Sequence, residues 1–123
     1  MPGKLILVVD DEEDIVEIVS DLLRAQGYRT AGASNGEEAL AAIAQSKPDG
    51  IVLDIKMPGM DGVELLRRLR QQTPLACLPV VVLTATQLVQ ELRDQLDQLA
   101  VSGCIAKPFE PAELLEAVGR AVR

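Results

Sequence analysis

The stretch Ile51–Arg70, "IVLDIKMPGMDGVELLRRLR", decides the reading of this chain. Three apolar residues, Ile51–Leu53, read as a short buried strand, and that strand delivers a carboxylate, Asp54, to its last position. "KMPGMDG" (56–62) then bends the chain away, because Pro and Gly punctuate regular structure. Val63, Leu66 and Leu69 follow at the spacing of one helix face, and the helix is predicted to end before Pro74. A covered strand followed directly by an amphipathic helix is the repeating unit of a parallel sheet.

Working outward, the same unit recurs. "LILVV" (5–9) is wholly apolar, like a strand covered on both faces. Ile15, Ile18, Val19, Leu22 and Leu23 then mark a helix that Gly27 can stop. Residues 28–33 read as a weaker, edge-like strand. "SNGE" (34–37) places Ser34 three before Glu37, a capping-box pattern, and the helix it opens carries Ala39, Leu40 and Ile43 inward. After residues 51–70, "PVVVLT" (79–84) is a β-branched buried strand. Leu88, Leu92, Leu96 and Leu99 line a fourth helix, and 103–106 form a short strand. Pro111 suits the first turn of a last helix, with Leu114, Leu115, Val118 and Val122 inside. Strand–helix alternation repeated five times predicts a single doubly wound α/β domain, a five-stranded parallel sheet covered on both faces.

Composition narrows the function. The chain has 123 residues, 48% hydrophobic and 25% charged, with a net charge of −7. No Lys/Arg cluster stands out, so nucleic-acid binding is not expected, since phosphate-backbone affinity comes from clustered positive charge. The longest apolar run, Leu5–Val9, falls far short of the ~20 residues of a membrane span. No signal peptide is visible in "MPGKLILVVDDEED", so a cytoplasmic location is expected. The two cysteines, Cys77 and Cys104, form no CxxC pair and are expected to be small buried hydrophobes. There is no histidine, which excludes His-based acid–base catalysis and the usual zinc sites.

The polar residues fall in one place. The first strand ends in Asp10 and Asp11, the third in Asp54 and the fourth in Thr84, while Lys107 follows the fifth. In open α/β sheets ligands bind beyond the carboxyl ends of the strands. If strands one and three are neighbours, three carboxylates lie close together. Two like charges ~5 Å apart repel by ~3 kcal/mol at an effective dielectric near 20, so the cluster needs a cation or a raised pKa. Hard oxygen ligands favour Mg²⁺. Lys107 balances negative charge from the other side and Thr84 offers a hydroxyl. Together these make a phosphoryl-transfer constellation in which an Asp attacks phosphorus. Each residue alone has a plainer reading, as a helix cap for the acids and Thr84, and a solvated loop residue for Lys107. Their convergence on one sheet edge favours the functional one.

The motifs "VVDDEED" (8–14), "IVLDIKMPGMDG" (51–62), "VVVLTA" (80–85) and "IAKPF" (105–109), in this order and spacing, resemble those of the response-regulator receiver domain of two-component signalling. The resemblance covers essentially the whole chain and implies a flavodoxin-like (βα)5 fold with strand order 2-1-3-4-5. It implies that Asp54 accepts a phosphoryl group from a phosphohistidine on a sensor histidine kinase or histidine phosphotransfer protein. It also implies that Asp11, Asp54 and the backbone carbonyl of Lys56 bind Mg²⁺, with Asp10 reaching the metal through water. Lys107 would contact the phosphoryl oxygens, Thr84 would hydrogen-bond one of them, and the Lys107–Pro108 bond would be cis. Cys104 stands where the family usually has Tyr or Phe, and Ala100-Val101 where it usually has Gly-Ala. The chain stops just after the fifth helix, so a receiver domain over 1–123 without an output domain is expected. It would signal through protein contacts on the face of the fourth helix, fifth strand and fifth helix, whose outward residues include Gln87, Gln90, Glu91, Asp94, Gln98 and Glu116. The protein is then a signalling phosphoacceptor, not a turnover enzyme. An aspartyl phosphohydrolase would want a second acid two residues after the nucleophile, where Lys56 stands. A flavin module would have only Tyr28 and Phe109 to stack on the ring.

Overall fold

The computed structural model describes residues 3–72 and 75–123. Five strands alternate with five helices: β1 (Leu5–Val9), α1 (Glu13–Ala25), β2 (Arg29–Ala33), α2 (Gly36–Gln45), β3 (Gly50–Leu53), α3 (Gly62–Gln71), β4 (Val80–Ala85), α4 (Thr86–Gln98), β5 (Gly103–Lys107) and α5 (Pro111–Ala121). The strands pair in parallel in the order β2-β1-β3-β4-β5, the order the resemblance implied. Among the described residues, no helix is long and apolar enough to cross a membrane.

The apolar runs explain the layers. Along a strand, successive side chains point to opposite faces, so a continuous apolar run fills both sides. Leu7, Val9, Ile51, Leu53, Val80 and Val82 lie in one buried cluster with residues of α2, α3 and α4. Ile6, Val8, Val52, Val81, Leu83 and Ile105 lie in a second, with residues of α1 and α5. The strand register sets the site: Val9 aligns with Leu53, so Asp10 and Asp54 leave the sheet side by side.

The helix ends follow local chemistry. Gly27, at φ 93°, stops α1 as expected: its N–H donates to the Arg24 carbonyl and that of Tyr28 to Leu23, a Schellman closure. Pro111 lies in the first turn of α5. The cap of α2 is one residue later than predicted. Asn35, not Ser34, is the N-cap and its side chain accepts from the Glu38 N–H at 2.8 Å. The Glu38 carboxylate returns to the Ser34 N–H and hydroxyl. Adjacent Glu37 and Glu38 made both registers available, and Asn caps as well as Ser. The inner face of α4 also differs: Val89 and Leu96 are buried, while Leu88, Leu92 and Leu99 are only half-buried. The break assigned to Pro74 lies outside the described residues, and α3 itself ends at Gln71.

The cysteine expectation needs correction. Cys77 is exposed and Cys104 half-buried. Leu75 and Leu78 point inward from the same turn, which leaves the intervening Cys77 facing out.

Gly62 seats α3 against the strand that carries Asp54. Its N–H donates to the Ile55 carbonyl at 2.7 Å. A Cβ there would lie 2.5 Å from the Asp54 carbonyl oxygen and 2.7 Å from the Ile55 Cα. Both are backbone atoms that cannot step aside cheaply. Gly62→Ala should therefore lose about 2 kcal/mol of stability, read as a lower urea midpoint at unchanged slope. An unchanged midpoint would show that this close approach is not a constraint.

Candidate functional site at the carboxyl end of the sheet

The sheet brings Asp10, Asp54, Thr84 and Lys107 together. Asp10, Asp54 and Thr84 are buried polar residues. The Asp54 N–H donates to the Val9 carbonyl at 2.9 Å and the Asp10 N–H to Ala33 at 3.1 Å. Both acids are thus fixed by their backbones as the sheet ends. The Thr84 hydroxyl donates to Asp54 Oδ1 at 2.8 Å. Lys107 Nζ lies 2.7 Å from Asp10 Oδ2 and 3.5 Å from Asp54 Oδ2. One oxygen of Asp54 is therefore tied to a hydroxyl and the other faces a cation shared with Asp10. The Lys107–Pro108 bond is cis.

Neither acid of the Asp10–Asp11 pair acts as the N-cap of α1. That position belongs to Glu12, whose side chain makes no capping bond. Asp10 Oδ1 instead accepts from the Glu12 N–H at 2.9 Å. Asp11 is exposed and opens on a cleft of about 510 Å³ beside Asn35 and the Pro58–Met60 turn. Lys56 is exposed in the loop after β3.

Carboxylate oxygens of Asp10, Asp11 and Glu12 lie within 4.8 Å of one another. All are hard oxygen donors, and among the described residues no soft ligand joins them, which fits Mg²⁺ rather than zinc or copper. Asp54 is not in this group, since its oxygens face Thr84 and Lys107. Glu12 is a site residue that sequence reasoning missed. It also lies 3.9 Å from Lys107 Nζ. The acidic run "VVDDEED" contained it, but nothing in the sequence said that the third acid would turn toward the lysine rather than cap the helix.

Burial and neighbouring charge act differently on the two partners. Burial pushes the Asp10 carboxyl above its ordinary 3.8, and the charge of Asp54 adds to the rise. The bonds from Lys107 and the Glu12 N–H offset only part of it. For Lys107, burial alone would lower the amine. The bond to Asp10 and the charges of Asp10, Asp54 and Glu12 outweigh burial and hold it above 10.5. The acid rises chiefly because it is buried, whereas the amine rises because the carboxylates around it outweigh burial.

The comparisons with known proteins point the same way. The chain matches the response regulator receiver domain over residues 6–119. It is 39% identical over 115 residues to the phosphate regulon transcriptional regulatory protein PhoB of Pseudomonas aeruginosa, covering 94% of this chain and 50% of that protein. With the alkaline phosphatase synthesis transcriptional regulatory protein PhoP of Bacillus subtilis it shares 42% identity over 113 residues, 91% of this chain and 45% of that one. Among solved structures, the chemotaxis protein CheY4 of Vibrio cholerae superposes with a TM-score of 0.89 at 32% identity, over 97% of this chain and 98% of that one. A sensor protein from a Polaromonas species gives 0.91 at 29%, over 98% and 97%. The two solved structures share the fold of this chain. The chain belongs to the response regulator receiver domain family of two-component systems, and it spans about half the length of the curated relatives it matches.

The raised Asp10 value makes stability depend on pH. A carboxyl whose folded pKa exceeds its unfolded one favours folding when protonated. That contribution is complete below the ordinary value of 3.8 and is lost as pH rises through the folded value. Lys107, held above 10.5, contributes a stability that persists through neutral pH and disappears only in the alkaline range. In EDTA at neutral pH, Asp10→Asn should therefore melt at a higher temperature than the parent, and the gap should close as the solution is acidified. Equal melting temperatures at neutral pH would contradict this account.

Proposed function

We propose that Asp54 is a phosphoacceptor and that the domain signals by contacts that change when Asp54 is phosphorylated. The observation that carries this reading is the pair of partners on its carboxylate. Thr84 holds Oδ1, and Lys107, itself bonded to Asp10, stands beside Oδ2. A buried strand end fixes the nucleophile, and a hydroxyl and an amine stand where oxygens of an incoming phosphoryl group would need donors.

In this mechanism a carboxylate oxygen of Asp54 attacks phosphorus. The donor's bond to phosphorus breaks, and its electron pair leaves with the imidazole nitrogen of a phosphohistidine on a sensor histidine kinase or histidine phosphotransfer protein. The product is an aspartyl phosphate. Lys107 moves its amine from Asp10 and Asp54 to the phosphoryl oxygens, and Thr84 donates its hydroxyl to one of them. Asp10, Asp11, Asp54 and the Lys56 carbonyl would hold Mg²⁺, with Asp10 acting through water. The ion supplies charge neutralisation that lets an anionic donor approach an acidic site. The domain catalyses only its own phosphorylation and dephosphorylation, a signalling role rather than turnover of a substrate.

The output reading rests on exposure. Gln87, Gln90, Glu91, Asp94, Gln98 and Glu116 are all exposed on α4 and α5. A downstream protein meeting the face of α4, β5 and α5 would read the change, with no nucleic acid or membrane contact by this domain and a cytoplasmic setting.

Incubation with acetyl phosphate and Mg²⁺ should add one phosphoryl group, detected by intact mass. Asp54→Ala should remove it, Lys107→Ala should slow it roughly a hundredfold, and EDTA should abolish it. Labelling of Asp54→Ala at the parental rate would overturn the assignment.

A further inference from the structure

Three carboxylates face the Lys107 amine, and they are not alike. Asp10 Oδ2 lies 2.7 Å from Nζ and Asp54 Oδ2 3.5 Å, and both side chains are buried, 3% and 7% exposed. Glu12 Oε1 stands 3.9 Å away with its side chain 65% exposed. Of the three, Glu12 is the acid that a molecule arriving from solvent meets beside the amine. Its backbone fixes its place. The Glu12 N–H donates to Asp10 Oδ1 at 2.9 Å, and its carbonyl accepts from the Ile15 N–H at 3.1 Å and that of Val16 at 3.2 Å as α1 begins.

The Glu12 carboxylate makes no capping bond at the head of α1, and an exposed ion pair of this kind adds little to stability. What it brings is charge, next to the amine that would receive phosphoryl oxygens. An anion entering the site loses on two counts. Glu12 repels it, and it must draw Lys107 away from an acid that already faces the amine. The first loss grows with the charge of the donor. Acetyl phosphate is a dianion at neutral pH. Phosphoramidate, a small donor with a P–N bond like that of phosphohistidine, carries a protonated nitrogen that offsets one phosphoryl charge.

We propose that Glu12 is a specificity-determining residue: its exposed charge turns the site against dianionic acyl phosphates and leaves it open to donors with a P–N bond. The inference rests on the phosphoacceptor reading of Asp54 and names the donor class that site takes. With either small donor an Asp54 oxygen bonds to phosphorus. The bond to the leaving group breaks, and its electron pair stays on the acetate oxygen or the ammonia nitrogen. Glu12 forms none of these bonds and acts on the approach alone.

Initial rates of phosphoryl uptake by the full chain in excess Mg²⁺, read by intact mass with each donor, test it. Glu12→Gln should quicken uptake from acetyl phosphate about fivefold and from phosphoramidate no more than about twofold. Added NaCl should shrink that difference, because the charge is exposed to screening. Glu12→Asp, which keeps the charge, should keep the parental ratio of the two rates. Melting temperature separates this role from metal ligation: Glu12→Gln should retain the rise that Mg²⁺ produces in the parent. An unchanged ratio in Glu12→Gln would overturn the proposal. So would a difference that salt leaves untouched, both donors slowed alike, or loss of the Mg²⁺-dependent rise. Failure of the underlying reading looks different: the parent takes up nothing from either donor, or Asp54→Ala takes up as much as the parent, and the proposal then falls with it.

Discussion

Everything at this site follows from carboxylates that are held together against their mutual repulsion. Asp10 and Asp54 emerge from adjacent strands in matched register, both buried, with Asp11 and Glu12 beside Asp10. Left to themselves such groups would separate. The sheet does not let them, because β1 and β3 are packed on both faces and paired along their length. Lys107 answers part of the charge by bonding Asp10 and approaching Asp54. The bond to Asp10 and the charges of Asp10, Asp54 and Glu12 hold the Lys107 amine above its ordinary value in spite of burial.

The scaffold's contribution is rigidity where charge must be crowded and a sharp exit where access is needed. The run Gly50–Leu53 is entirely buried and gives Asp54 no freedom along the strand. The chain then turns through Gly59 at φ 73°. Asp61 caps α3 by accepting from the Glu64 N–H at 3.0 Å, so Asp54 is not needed as the cap. On the far side of the sheet edge, Thr84 and Lys107 arrive from β4 and β5, paired in register so that Thr84 faces Ala106 and Ala85 faces Lys107.

Most of this was legible in the residues. "LILVV", "IVL" and "VVVL" read as strands covered on both faces, and helices spaced between them point to a parallel sheet. Once that is granted, Asp10, Asp54 and Thr84 must share one edge, because each ends a strand in the same direction. What could not be read depends on contacts between distant segments. Two adjacent glutamates left the register of the α2 cap open. Cys77 turns outward because its neighbours Leu75 and Leu78 claim the interior. Glu12 faces Lys107 only because the β5 end comes to it. Nothing in "VELLRRLR" distinguishes Arg70, which donates to four backbone carbonyls, from exposed Arg67 and Arg68. The left-handed turn at Ala100 is likewise invisible without the fold.

The proposed function rests on electrostatics: the carboxyl ends of β1 and β3 crowd acids that a divalent cation would relieve. Melting temperature measured against Mg²⁺ concentration tests it most directly. A ligand that binds only the folded form stabilises it by about 2.7 kcal/mol at a hundredfold excess over its dissociation constant. The account predicts that melting rises with the logarithm of Mg²⁺ concentration, well beyond the effect of NaCl at matched ionic strength, and that Asp11→Asn blunts the rise. A parent protein that Mg²⁺ stabilises no more than NaCl does would contradict it.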